Sequence, residues 1–370
     1  MPWLRRVEVI VSRKEDPSIR TVFKSHRIDF EVRSTVGWPA DTANITLFNL
    51  SLEEVKFLQD KSYGDMYIEI RAGYAEDERS DSGGGTSSGG AKKFGQKAEQ
   101  SDRVTVSTSL PTIFSGIITN AVGYRKPPEH VTQLFCISKA YGASTDFKQL
   151  TAIKPGTKLI DAMRSMCSDY GFNTISTFGV EDSVLETVMP RGRVFHDTFL
   201  NEFRNMLGEY NLLYTVTTGE VQIFPDTFGD KDAVNRMSKD REPVQLDEDS
   251  VIGNPVAGIC TYTLNTFLNP SFQPGMILDV SPLLGKKKLL ANGVTSVSGE
   301  GIVLNTDQSV FRWAVEDKYF IMEVVHKGST HSTIYQTSIT AILGGNTMMG
   351  GKEAAWQEMY ANSGMAMESF

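Results

Sequence analysis

Histidine and cysteine are scarce in this chain, with five and three among 370 residues. No apolar run approaches the roughly 18 residues of a spanning helix, so no membrane insertion is expected. The opening Met1-Pro2-Trp3-Leu4-Arg5-Arg6 lacks the apolar core of a signal peptide. Cys136, Cys167 and Cys260 each lie in an apolar run without metal-ligand spacing. They read as reduced, buried small apolar residues of a protein that folds in a reducing compartment. Basic charge is short as well: 37 Lys+Arg against 45 Asp+Glu leave a formal charge of −8. That balance argues against a dedicated DNA binder, because affinity for nucleic acid comes mainly from neutralised phosphates.

The motifs of common chemistries are missing too. There is no G-x-S-x-G elbow, no H-E-x-x-H and no cysteine–histidine nucleophile context. The glycines of 83–90 are not followed by a helix, so they form no phosphate cradle, and Pro155-Gly156-Thr157-Lys158 lacks the remaining glycines of one. Asp247-Glu248-Asp249 and Glu181-Asp182 read as solvated acids, although Glu181 and Asp247 are the pair to test for glycoside hydrolysis. His26, His130 and His196 stand apart, and His326 and His331 flank a turn where solvated residues are expected. No catalytic, cofactor or metal site is expected.

What is present is mostly strand. Val7, Val9 and Val11, then Ile28, Phe30 and Val32, then Met66, Ile68 and Ile70 alternate with polar neighbours, the period of half-buried strands. Ser51 and Glu54 form a capping box for a short helix burying Leu52, Val55 and Leu58. The Gly/Ser-rich stretch within 80–102 reads as a flexible loop. The period changes in the middle third. Leu159, Ile160, Met163, Met166, Cys167 and Tyr170 share one helix face, and Phe199, Leu200, Phe203, Met206, Leu207 and Tyr210 another, with Asp197 as its N-cap. A hairpin follows at 212–224. From about 243 strands return, at 258–264, 276–280, 293–298, 320–325 and 333–342.

The fold class expected is α+β, mainly β, with two similar tube-type β-barrel domains flanking a small α+β domain. The divisions are 1–145, 146–242 and 243–343, with a tail at 344–370. The flanking parts share an order of features: Ile45-Thr46-Leu47 leads through Gly64 to Met66, and Tyr262-Thr263-Leu264 through Gly275 to Met276. This predicts an internal duplication, so a trimer would present six similar domains in a ring. In the tail, Trp356, Met359, Tyr360, Met365, Met367 and Phe370 are candidates for docking on a partner or on the chain itself.

Three strings carry a family resemblance: Ala43-Asn44-Ile45-Thr46-Leu47-Phe48-Asn49-Leu50-Ser51, Ile70-Arg71-Ala72-Gly73-Tyr74 and Ile113-Phe114-Ser115-Gly116-Ile117-Ile118. In the second half, Leu268-Asn269-Pro270 with Pro274-Gly275-Met276, and the strand Tyr319–Gly328, add to it. In order and spacing the chain resembles the baseplate hub proteins of contractile-tailed bacteriophages, related to the base of type VI secretion spike proteins. The likeness runs over about 1–345; the insertion at 80–102 and the excursion Lys286–Phe311 depart from it.

The resemblance implies a structural protein of the virion, at the distal end of the tail and assembled in the host cytoplasm. It implies a homotrimer forming a pseudo-six-fold ring between the six-fold tail tube, or tube-initiator ring proteins, and the three-fold central spike. The tape-measure protein is a further contact, and DNA only passes through. Inward-facing positions should then carry more Asp and Glu than Lys and Arg. The alternative reading is a tail-tip cell-wall hydrolase or a receptor- or sugar-binding module.

Overall fold

A computed structural model describes residues 5–37, 41–59, 66–74, 110–138, 152–169, 172, 174–194, 197–217, 220–226, 231–246, 248–257, 261–280, 295–298, 301–304 and 318–342. The Gly/Ser stretch, Cys260, Asp247, His196 and the whole tail, with Trp356, Met359, Tyr360, Met365, Met367 and Phe370, lie outside the described residues.

The first part contains β1 (Arg5–Arg13), β2 (Arg20–Phe23), β3 (Ile28–Thr35), β4 (Thr42–Phe48), α1 (Leu52–Gln59), β5 (Met66–Tyr74), β6 (Thr112–Lys126) and β7 (Glu129–Ser138). The alternation read from sequence is the burial found: Val9, Val11, Ile28, Val32, Ile45 and Ile70 are fully buried. Their core collects side chains from β1 to β7, so the sheet curls around it. The capping box holds at α1: Ser51 N donates to Glu54 Oε2 at 2.7 Å, and Glu54 N to Ser51 Oγ at 3.3 Å. Leu52, expected inside, is 69% exposed, while Leu58 is buried. The helix presents its last turn to the core, and Leu52 at its first position points away.

The middle part contains α2 (Leu159–Asp169), β8 (Thr174–Thr177), α3 (Asp182–Leu185), α4 (Phe199–Gly208), β9 (Leu212–Thr217), β10 (Glu220–Pro225) and α5 (Lys231–Asp240). β10 lies between β8, parallel, and β9, antiparallel. α2 and α4 bury Met163, Met166, Phe199, Phe203 and Met206 in a second core beside this sheet. Thr198, not Asp197, occupies the N-cap of α4, and no side chain caps it. Asp197 instead accepts the Thr198 amide at 2.6 Å and the Asn201 side chain at 2.8 Å.

The last part contains β11 (Val244–Gln245), β12 (Val251–Ala257), β13 (Thr261–Phe267), β14 (Ile277–Asp279), β15 (Thr295–Ser298), β16 (Gly301–Leu304), β17 (Lys318–Ser329) and β18 (Tyr335–Ile342). The sequence reading passed over β12. Its Gly253 has φ +75° and the register breaks between Ile252 and Val256, which erases the alternation.

The sequence leads one to expect two similar tube-type β-barrel domains. The described strands instead form one large antiparallel sheet, ordered β12-β13-β18-β17-β3-β4-β7-β6-β5-β1-β2, with β14 beside β17 and β11 parallel to β14. It does not close. The join is β17 on β3, seven residue pairs from Glu323↔Thr35 to Ser329↔Asp29. Ser329 Oγ donates to Asp29 Oδ1 at 2.5 Å, and Thr330 N donates to the Ile28 carbonyl at 3.0 Å. Periodicity fixes which residues face a core, but not which strand becomes the neighbour of which, so this join was hidden in the sequence.

Candidate functional site

The candidate site is the outer face of the sheet, opposite the two β cores. A β-bulge in β17 sets its organisation. Up to Ile321 the strand alternates, with Tyr319 and Ile321 in the core of the last part and Phe320 on the other side. The register shifts between Ile321 and Glu323, and Val324 returns to the core. Met322 and Glu323 are therefore both directed outward.

On one side of the bulge the outer face is apolar and covered. Phe320, Met322, Ile342, Ile277 and Val36 pack against Phe224, Val234 and Met237 of the middle part. Phe224 stacks on Phe178 and meets Phe320 edge-on. Gly275, at φ +86°, makes room, since a Cβ there would stand 2.2 Å from the Phe224 ring. The Gly37 amide donates to the Tyr214 carbonyl at 2.7 Å and closes this junction.

Beyond the bulge the outer face is polar. By register, Thr263 and Asn265 lie beside Thr340 and Ser338, then Glu323 and Lys327, then Arg33, Glu31 and Asp29, then Thr42, Asn44 and Thr46. Lys327 pairs across strands with Glu31 at 3.1 Å and Arg33 with Glu323 at 3.3 Å, and Arg27, just ahead of β3, pairs with Asp29, two residues along, at 3.6 Å. Glu323 is buried, which raises its carboxyl pKa against the opposing pull of Arg33. Such a surface has polarity and little uncompensated charge.

Farther around the curl the outer face changes again. On β5, β6 and β7, cross-strand partners place Tyr67, Ile117 and Ile137 in a row, half-buried, and Phe135, Val122 and Tyr124 continue it toward the hairpin tip. The last three are 36%, 39% and 47% exposed. Residues 122–128 are all exposed and include Arg125 and Lys126.

The expected chemistry can be compared residue by residue. Glu181 is exposed and paired with Arg236 at 3.3 Å, and an open cleft of about 440 Å³ beside it is lined by Asp182, Arg236, Lys239 and Asp240. Among the described residues no group of three histidine, cysteine or acidic side chains stands ready for a metal. Cys136 and Cys167 are buried and free, and burial pushes the Cys167 thiol to about 12. His331 is exposed, as expected for the turn, but His326 is buried, with Nδ1 2.9 Å from Thr337 Oγ1 and a pKa lowered to about 4. Its place opposite Val32 across the β17–β3 join explains the difference. No helix among the described residues is long and apolar enough to cross a membrane.

No protein-family model matches the sequence, and no curated protein matches it. Solved structures do match in fold. The chain is similar to a tail protein from Neisseria meningitidis MC58, with 9% identity over 91% of this chain and 96% of that one, at a TM-score of 0.50. It also matches the 43 kDa tail protein of prophage MuSo2 from Shewanella oneidensis, with 8% identity over 90% and 96% of the chains and a TM-score of 0.48. A third match is an Escherichia coli component of the type VI secretion system, itself described as similar to T4 bacteriophage tail proteins gp27 and gp5. There the identity is 9% over 90% and 76%, and the TM-score 0.47. At 9% identity the likeness to the Neisseria tail protein is one of fold: the chain has the fold of that tail protein, as its motif order leads one to expect.

Proposed function

We propose that this chain is a structural baseplate hub of a phage-type tail. Three copies form a pseudo-six-fold ring between the six-fold tail tube, or its initiator ring, and the three-fold central spike. The observation that carries this reading is the end-to-end fold likeness to the Neisseria tail protein. The continuous sheet supports it, because β17 on β3 holds both β-rich parts of one copy in a fixed relation. Two such parts per copy, three copies around, supply six positions from a three-fold assembly.

The polar zone beyond the β17 bulge is the surface we assign to the lumen. Its acids, Asp29, Glu31 and Glu323, are matched one for one by Arg27, Arg33 and Lys327, and each of these cations is engaged by a carboxylate. A phosphate backbone passing over it meets few cations it can neutralise, so it slides without being held. The apolar tail with Trp356, Met359 and Tyr360 is the segment we assign to a neighbouring protein of the tail. Deleting 353–370 should leave the fold intact and weaken capture of tube or spike proteins; unchanged capture would refute that role.

The hub reading is tested by the native mass of the purified chain, alone and with tube and spike proteins. Three copies, retained in complex with either partner, are expected. A monomer under all conditions would refute it. A peptidoglycan zymogram tests the enzymatic alternative: clearing that disappears in Glu181→Gln or Asp247→Asn would replace the hub by a hydrolase.

A further inference from the structure

We infer that β8 is a docking edge for the chain's own tail, with Asn346–Met349 lying along it as an added strand. The contact sets where residues 353–370, assigned above to a neighbouring protein, leave the body.

β8 is the outer strand of the three-stranded sheet, and among the described residues no strand pairs with its far side. The Phe178 amide donates to the Ile223 carbonyl at 3.0 Å. Alternation along the parallel β8–β10 pair then turns the backbone groups of Thr174 and Ser176 toward β10. Those of Ile175, Thr177 and Gly179 turn toward the open edge. At Gly179 both groups are met by α5. Its amide donates to Asp240 Oδ2 at 2.6 Å, and its carbonyl accepts from Arg236 Nε at 3.2 Å. Two side chains do there what a fourth strand would do. α5 ends at Asp240, and Ile175 and Thr177 keep an edge that one more strand completes.

The occupant follows from where the described chain ends. Ile342 closes β18 opposite Phe320 and packs in one cluster with Phe224 and Met237, with Phe178 against it. Phe178 directly follows β8, and its ring stacks on Phe224. The polar cleft lined by Thr177, Gly179, Arg236 and Lys239 opens at that same end of β8. The tail therefore sets out from beside the edge, and the five residues from Ile342 to Thr347 span up to roughly 17 Å. Gly344-Gly345 and Gly350-Gly351 bracket Asn346-Thr347-Met348-Met349, a stretch as long as β8 itself. Such glycine pairs let the chain turn onto the edge and off it. A segment entering at the Thr177 end runs toward Thr174, antiparallel to β8. With Thr347 opposite Thr177, Met348 falls opposite Ser176. Tethering raises the local concentration to about the millimolar range, so a short ladder suffices.

Amide hydrogen exchange on the full chain, resolved to single residues, tests this. Ile175 and Thr177 should exchange as slowly as Ser176, whose amide faces β10. Thr347→Pro with Met349→Pro removes the donors of the added strand and should speed exchange at Ile175 and Thr177 about ten-fold or more. Ser176 and the amides of β9 should stay as they are, which separates a lost strand from a lost fold. Ser176→Cys with Met348→Cys should oxidise to a cross-link within one chain. Fast exchange at Ile175 and Thr177 in the wild type, or exchange unchanged by the prolines, would overturn the inference. A cross-link between copies, or protection that appears only with tube or spike protein bound, would give the edge to another occupant and overturn it too. The contact needs no second copy, so a native mass that refutes the trimer leaves this result standing.

Discussion

The hydroxyl of Tyr335 lies 2.9 Å from both the amide nitrogen and the carbonyl oxygen of Gly73, 262 residues earlier in the chain. It also lies 2.9 Å from the carbonyl of Arg6. Tyr335 opens β18 in the last part of the sequence, yet it is buried in the core of the first. Arg5 crosses over its ring and donates to the carbonyls of Ser332 and Thr333. The β17–β18 turn is thus tied to the N-terminal strand as well as to β3.

Removing that hydroxyl should be costly. Tyr335→Phe keeps the packing but leaves the buried backbone groups of Gly73 and the part-buried Arg6 carbonyl short of a partner, a loss of about 1–3 kcal/mol. Tyr335→Ala adds a cavity and should lose about 3–5 kcal/mol. Urea unfolding measures both; a Phe variant as stable as wild type would show that water replaces the hydroxyl.

The two β-rich parts should unfold together. They share the β17–β3 ladder, and Leu268 and Tyr335 sit in the core of the first part. Tyrosine fluorescence and far-ultraviolet circular dichroism should report one common transition between them. Residues 1–145 made alone should fail to give a sharp melt, because the edge of β3 and the Tyr335 site are left open.

Gly275→Ala should disturb the junction with the middle part. The new methyl would strike the buried Phe224 ring at a backbone φ of +86°. Overpacking and strain together predict a loss of about 2 kcal/mol or more. Gly156→Ala, also at positive φ but with open space around it, should lose less.

Much of this architecture was legible in the sequence. The alternation of Val7, Val9 and Val11 and the helical spacing of Phe199, Phe203, Met206 and Leu207 name residues that are buried. What stayed hidden depends on contacts distant in sequence. His326 reads as a turn residue until β3 covers it, and Tyr335 reads as an ordinary strand start until Gly73 meets its hydroxyl. The outer face needed the bulge at Ile321/Glu323, which carries no sequence signature. The row from Tyr67 to Tyr124 was missed because its members lie on three strands; the unbroken run Ala121-Val122-Gly123-Tyr124 inside a β pattern was the available signal.

Acid should act through His326. Its folded pKa of about 4 lies below the ordinary 6.5, so the unfolded chain binds the extra proton between those values. The stability from keeping it neutral is full above pH 6.5 and is lost as pH falls toward 4, by about 3 kcal/mol at most. Asp41, raised by burial to about 7, acts in the opposite sense over an overlapping range, stabilising at low pH and losing that effect as pH rises through 7. The informative quantity is therefore the difference between wild type and His326→Gln, which should shrink as the pH falls from 6.5 to 4. A difference independent of pH would show that His326 does not titrate in this way.

Changing the charge of the polar zone should change its grip on DNA. Glu31→Lys with Asp29→Lys removes two carboxylates and adds two cations beside Lys327 and Arg27. The variant ring should bind duplex DNA at low salt, with affinity falling steeply as salt rises, while the wild-type ring does not. Equal binding by both would argue that this zone faces away from the DNA path.

Electron cryomicroscopy of the ring assembled with its tube and spike proteins tests the central claim most directly. The hub reading predicts three copies about one axis, six β-rich parts around a single channel, and Asp29, Glu31, Lys327 and Glu323 on the channel wall. A ring of another copy number, or a three-fold ring with that zone on its outside, would contradict it.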